Sequence, residues 1–280
     1  MKLGIIGGGR AAWAFGHAWK TRSLPIAGVA LREGSSSNLP GLLDAPAVPV
    51  ERLAAESDLL LLAIPDGSIA LVARQIAPHL GERSFRFHAS GSLPSSVLGQ
   101  GPHAFSLHPL AALPPAGTPL GSPPPLLVFE GPEESLAVAR AIAAAFGSPM
   151  SRIDPRSKPL YHAGAVLGSN HVAALLEVAA QVLRSAGLEE RESREAVASL
   201  ARSAIENWAS SPPSGRFTGP VARAERATIA SHLDALAASP EVREIYRRLS
   251  LEVAGAVENA SQGDVEISEI IDLLRNRAIS

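Results

Sequence analysis

At 280 residues the chain has material for about two domains of 100–150 residues each, every one large enough to bury a core. Hydrophobic side chains make up 46% and charged ones 19%, a globular balance that excludes disordered, collagen-like and purely coiled-coil chains. Twenty-five basic against 27 acidic residues give no field for a polyanion, and the lack of cysteine excludes disulfides, thiolate metal sites and a cysteine nucleophile.

These features predict a cytoplasmic protein that handles a small molecule, with neither nucleic acid nor a membrane as partner. Leu3–Ile6 already reads as a buried strand, so no leader is expected, and the longest apolar run, Leu59–Ile64, is too short to span a bilayer.

In chain order, Leu3–Ile6, Ile26–Leu31, Asp58–Ile64, Phe85–Ala89, Ala104–Leu107 and Leu126–Phe129 read as strands separated by helix-like stretches. That alternation predicts a parallel sheet with crossover helices. The segment from Leu113 to Pro125 is too rich in Pro and Gly for either element and reads as a surface loop near the site. After Asp154-Pro155 the texture turns to Ala- and Leu-rich helical stretches, roughly 158–186, 189–209, 219–238, 240–260 and 266–277, with a loop at 210–215. The predicted division is therefore an α/β domain over 1–154 and an all-helical domain over 155–280, the latter carrying substrate contacts and dimerisation.

The first strand runs straight into Gly7-Gly8-Gly9-Arg10-Ala11-Ala12 and a helix. Gly7 suits the tight turn, Gly9 lets backbone N–H groups approach a pyrophosphate, and Ala12 stands where helix and strand pack closely. Strand, glycine turn and helix in this order predict a Rossmann-type nucleotide-binding domain with Gly7, Gly8, Gly9, Arg10 and Ala11 at the phosphates. The second strand ends in Arg32, followed by Ser35, Ser36 and Ser37, a guanidinium and hydroxyls suited to a 2′-phosphate. This favours NADP over NAD, whereas Glu33 turned inward would favour the unphosphorylated ribose of NAD. Ile64, Pro65 and Asp66 follow a buried strand at the carboxyl edge of the sheet, where cofactor is expected, although Asp66 equally suits the start of a helix.

The residues for chemistry come next. Phe87-His88-Ala89-Ser90-Gly91-Ser92 ends one strand, a turn whose hydroxyls and backbone N–H groups suit a substrate carboxylate or the nicotinamide end of a cofactor, with Ser90 a candidate to orient substrate, Ser92 a potential helix cap and His88 readable as a strand-end histidine satisfied by neighbouring backbone. His108, in Ser106-Leu107-His108-Pro109, is the leading acid/base candidate, since imidazole titrates near neutrality. On the first helix of the second domain His162, Ser169 and Asn170 fall within one sector at 100° per residue, so His162 and Asn170 join the candidates, with tight helix packing as the structural alternative. Arg216, Thr218 and Arg223 mark a helix start with arginines free for an anion. The eight histidines show no metal-ligand spacing, and no metal is expected.

Phe87-His88-Ala89-Ser90-Gly91, Ser106-Leu107-His108-Pro109-Leu110, Tyr161-His162-Ala163-Gly164 to Ser169-Asn170, and Thr218-Gly219-Pro220 together resemble bacterial Rossmann-like proteins with a C-terminal helical domain of unknown function, to which an NADP oxidoreductase role is commonly attached. The wider superfamily holds pyrroline-5-carboxylate reductase, prephenate dehydrogenase, ketopantoate reductase and the hydroxyisobutyrate dehydrogenases. The His108 segment is similar to the Gly-x-His-Pro-Met segment of prephenate dehydrogenases, whose His contacts the substrate hydroxyl. Hydroxyisobutyrate-type enzymes place a catalytic Lys four residues before an Asn; here that position is Val166, and Lys158 is either a substitute or a surface residue. The resemblance implies an NADP-dependent oxidoreductase acting on a small anionic substrate between the domains, and a homodimer formed through the C-terminal helices. A non-catalytic NADP-binding regulator and a deazaflavin-dependent NADP oxidoreductase are the rivals.

Overall fold

The structure, a computed structural model, describes residues 1–212, 215–261 and 265–276. Parts of the expected 210–215 loop and residue 277 of the last expected helix lie outside the described residues. The chain divides into two compact units, Met1–His171 and Val172–Ser280.

The first unit is a seven-stranded sheet built from β1 (Leu3–Ile6), β2 (Ile26–Ala30), β3 (Leu59–Leu62), β4 (Phe85–His88), β5 (Ala104–Leu110), β6 (Leu126–Glu130) and β7 (Met150–Arg152), in the spatial order β2-β1-β3-β4-β5-β6-β7. Its helices are α1 (Arg10–Thr21), α2 (Leu39–Leu43), α3 (Val50–Glu56), α4 (Asp66–Ile76), α5 (Leu136–Phe146) and α6 (Lys158–Val166). The sheet is parallel as expected except where β5 meets β6, which runs antiparallel to it. The cause is the proline-rich segment joining them: it supplies no crossover helix, so the chain returns beside β5 in the opposite sense. Strand β7 was not foreseen, because Ser151 and Arg152 are exposed and a three-residue strand with one apolar side chain has no period to read.

Both sheet faces are covered, which is why β3 is an unbroken run of leucines rather than an alternating strand. Leu59 and Leu61 enter a core with Trp13, Phe15 and Ile142 from α1 and α5, while Leu60 and Leu62 enter another with Leu53, Ile69 and Ile76 from α3 and α4. Phe87 and Phe105 stack on neighbouring strands with centroids 5.1 Å apart, and Phe129 continues the row at 5.9 Å from Phe105. This aromatic row fixes the central strands whose carboxyl ends carry the site.

Helix α6 ends at Val166 and gives way to a π-helical turn, Leu167–His171, in place of the single helix expected from 158 to 186. The second unit is helical and turn-like throughout its described residues: α7 (Val172–Ser185), α8 (Glu190–Ser210), α9 (Arg226–Ala235), α10 (Pro240–Ser261) and α11 (Val265–Asn276). Glu189 and Glu192 close the start of α8 as a reciprocal capping box. The helix expected from 219 begins only at Arg226, after turns that put Ala224 at φ 53°, so Thr218 caps nothing. Ile229, Leu233, Ala254, Ile267, Ile270 and Leu274 form this unit's core.

The stretch Pro155–Ser185 is long and apolar enough to cross a membrane, with a mean hydropathy of 1.4 over its most apolar window, and 6% of that window is buried. The sequence reading missed it by looking only for uninterrupted apolar runs.

Candidate functional site

At the carboxyl edge of β1–β3 a cavity of about 1160 Å³ opens. Gly7, Gly8, Gly9, Arg10 and Ala11 line it from the glycine turn, Arg32 and Ser35 from beyond β2, and Ile64, Pro65 and Asp66 from beyond β3. Each glycine has its own reason. Gly7 sits at φ +115° with its missing Cβ directed into the carbonyl of Ala63, and a side chain at Gly8 would collide with Ser37, whose Oγ donates to the Gly8 carbonyl at 2.9 Å. At Gly9 nothing lies within 4 Å of the Cβ position, and as the N-cap of α1 it carries no side-chain cap, so the first N–H groups of that helix face open space.

The proline-rich segment is pinned beside this turn. Arg10 Nη1 donates to the Leu113 carbonyl at 3.2 Å, Trp13 Nε1 donates to the Thr118 carbonyl at 2.8 Å, and Ala116 lines the same cavity. Arg32 lines the cavity, its carbonyl accepting the Ser35 N–H at 3.0 Å and its guanidinium bonded to no described residue, while Glu33 is exposed and does not line it.

The cavity is lined as far as Asp66, Ala89 and Ser90, and the Ser90 carbonyl is in turn bonded to a cluster of titratable side chains that lies outside that lining. Strand β5 outruns β4, which pairs with it only as far as Ser106, so His108 stands beyond the end of its parallel neighbour. Alternation puts Ser106 and His108 on one face of β5. On α6 the spacing of Lys158, Tyr161 and His162 puts all three on one helix face. The two patterns mate. Lys158 Nζ donates to Ser106 Oγ and, at 3.0 Å, to the Ser90 carbonyl, while Tyr161 Oη lies 2.6 Å from His108 Nδ1. Gly91 is wedged between the histidines: a Cβ there would come within 2.8 Å of His162 Cδ2 and 3.0 Å of His108 Cε1.

Burial sets the electrostatics. The ammonium of Lys158, 2% exposed, is pushed down to about 8 by burial, against the pull of Glu130 and Asp66. His108 is pushed down to about 4 by burial first and by the Lys158 and His162 charges next, and burial raises Tyr161 to about 12. His88 is also held near 4 by burial and Lys158. Its Nδ1 accepts from the Ser90 N–H at 3.2 Å, so its hydrogen sits on Nε2 and goes to the Pro94 carbonyl at 3.2 Å. His88 is thus the strand-end histidine satisfied by backbone.

The Ser90 hydroxyl is fully committed. It donates to Asp66 Oδ2 at 2.8 Å and accepts the N–H groups of Ser92 and Leu93, and Ser92 Oγ donates to the same carboxylate oxygen at 2.6 Å instead of capping a helix. Ser90 therefore positions Asp66, whose Oδ1 accepts nothing from any described residue. Ser169 Oγ turns back to the Ala165 carbonyl and Asn170 is exposed, because the π-helical turn abandons the 100° spacing that had aligned them with His162. Lys158 is not a surface residue. Tyr161 and buried Lys158 are the members that the sequence reading did not select, though the spacing 158, 161, 162 was available to find them.

Comparisons with known proteins agree with this architecture. Residues 1–109 match the model of a Rossmann-like domain, and residues 126–253 match a domain of unknown function, DUF2520, whose span begins inside the sheet at β6. The chain thus joins a Rossmann-like domain to a DUF2520 domain. No curated protein matches it. Among solved structures it is similar to a candidate NADP oxidoreductase from Bacteroides fragilis (21% identity, TM-score 0.74, 90% of this chain and 97% of the other). A Thermotoga maritima protein is similar at 20% identity and TM-score 0.73, covering 92% and 99%. Pyrroline carboxylate reductase of Plasmodium falciparum, solved with NADP bound, follows at 15% identity and TM-score 0.59, covering 89% and 97%. At these identities the likeness is one of fold.

Proposed function

We propose that the chain is an NADP-dependent oxidoreductase acting on a small molecule, with NAD as the weaker cofactor. The observation that carries this reading is the cavity that gathers the glycine turn, the open helix N-terminus and an unpaired Arg32 along one sheet edge. The pyrophosphate would lie against the N–H groups at Gly9 and Arg10, and a 2′-phosphate against Arg32 and Ser35. Nicotinamide, when bound, supplies the hydride donor or acceptor. Solved neighbours of this fold include one that holds NADP. His108 is the side chain that would meet the reacting group of the substrate in this reading, with His162 beside it across Gly91. Asn170 has no place in the assignment.

Calorimetric titration of NADPH and NADH, with Arg32→Ala alongside, tests it. Loss of charge-assisted hydrogen bonds to a phosphate costs about 1.5–3 kcal/mol, so Arg32→Ala should weaken NADPH roughly ten- to hundredfold and leave NADH almost unchanged. Absence of binding by either nucleotide overturns the reading.

The same reading includes a homodimer. Leu160 and Leu167 are 79% and 60% exposed, and on α8 Leu200, Ile205 and Trp208 are all more than half exposed, an amount of apolar surface that a lone chain would not leave in water. Lipid suits the Pro155–Ser185 stretch poorly, since His162, Ser169, Asn170 and His171 occupy its middle and polar groups there are costly in hydrocarbon. Light scattering at micromolar concentration should give twice the chain mass; a monomer removes the dimer from the proposal.

A further inference from the structure

We propose that Tyr161 is a positioning residue that locks the His108 ring with its hydrogen on Nε2, so that the site offers substrate a neutral N–H donor rather than a base. Tyr161 Oη and His108 Nδ1 are in contact at 2.6 Å. Either atom could hold the shared hydrogen, and their chemistry decides. The pyridine-type nitrogen of imidazole is a strong acceptor, whereas the phenol oxygen is a better donor than acceptor because its lone pair is delocalised into the ring. Tyr161 keeps its hydrogen at any ordinary pH, since burial raises its titration to about 12. With Nδ1 occupied as acceptor, a neutral ring has one place left for its own hydrogen, and that is Nε2.

The surroundings keep the ring neutral. Lys158 and His162 face it as cations or potential cations, His88 stands on the neighbouring strand, and Asp66 alone opposes them. Nε2 makes no hydrogen bond to any described residue. It lies along Gly91, where a Cβ would sit 3.1 Å away, so a side chain at that position would crowd the nitrogen. Nδ1 is tied to Tyr161, and Nε2 is the ring nitrogen without a partner among the described residues.

A consequence for the ligand follows, and it rests on the oxidoreductase reading. An atom placed against Nε2–H must carry a lone pair, as the oxygen of a carbonyl or the nitrogen of an imine does. A protonated amine has only N–H groups to present and is disfavoured there. A neutral imidazole acting as hydrogen-bond donor to a carbonyl has precedent in enzyme chemistry.

The tautomer itself is measurable without substrate or nucleotide, so the test stands apart from the NADPH titration. Long-range ¹H–¹⁵N correlation of the ¹⁵N-labelled protein near neutral pH reads the state of each ring nitrogen. His108 should show an unprotonated Nδ1 and a protonated Nε2, and in Tyr161→Phe the Nδ1 resonance should move toward the position of the averaged tautomers. His88 is the internal control, because backbone groups fix its hydrogen on Nε2 and its pattern should be the same in both proteins. A wild-type His108 with its hydrogen on Nδ1 overturns the proposal with no variant needed. So does a Tyr161→Phe spectrum in which both histidines are unchanged.

Discussion

Lowering the pH from 7 to 5 should cost the first unit about 4 kcal/mol of stability through His88 and His108. In the unfolded chain a histidine titrates near 6.5; in the fold both are held down to about 4, chiefly by burial. Between those values the unfolded chain binds protons that the folded chain refuses, so stability falls as pH falls. The contribution is complete above pH 6.5 and is lost progressively toward pH 4. Each imidazole crosses about 1.5 pH units of this window on the way to pH 5, at about 1.4 kcal/mol per unit, which is about 2 kcal/mol apiece. Urea denaturation at pH 7, 6 and 5 reads the slope, and His108→Gln should remove about half of the loss. A wild-type profile as flat as that of His108→Gln would mean that the ring is not held neutral by the fold.

The fold was legible because its signals are local and repetitive. Four leucines in a row, a strand ending in three glycines and the change of texture after Pro155 each state an element without reference to distant residues. What escaped was decided by partners far along the chain. Whether β6 runs up or down depends on the lack of a helix between 111 and 125, and β7 exists because β6 offers it an edge. The cavity at the edge of β1–β3 was legible for the same local reason, since its lining follows strand ends in sequence order. The histidine cluster was half legible: His108 stood out by its place after a strand, but in sequence Lys158 reads equally as a substitute for the missing lysine or as a surface residue. Its burial needs two acceptors, the Ser90 carbonyl and Ser106 Oγ, supplied from 68 and 52 residues away. Asn170 was misplaced by a physical detail, the π-helical turn, which propensities do not announce.

Replacing that lysine should flatten the pH dependence of stability at both ends. The Lys158 amine titrates near 10.5 when unfolded and near 8 in the fold, because burial penalises the ammonium more than its acceptors and the Glu130 and Asp66 charges recover. From pH 8 to 10.5 the unfolded chain holds a proton that the folded chain has lost, so the wild type gains stability with rising pH, and the gain is absent below pH 8. Compared at pH 7.5 and 10, the wild type should gain about 3 kcal/mol on Lys158→Met, a side chain of similar length that titrates nowhere. The acid limb should shrink as well, since the ammonium helps to depress His88 and His108, and without it they titrate closer to 6.5. A cation that costs the fold stability at neutral pH then has an effect on its neighbours: it adds to burial in holding the His88 and His108 imidazoles uncharged. Lys158→Gln, which keeps a donor for Ser106 and the Ser90 carbonyl without the charge, separates the two roles. If Lys158→Gln keeps both the alkaline gain and the full acid loss, the ammonium is not the source of either, and the neutrality of His108 must be assigned to burial alone.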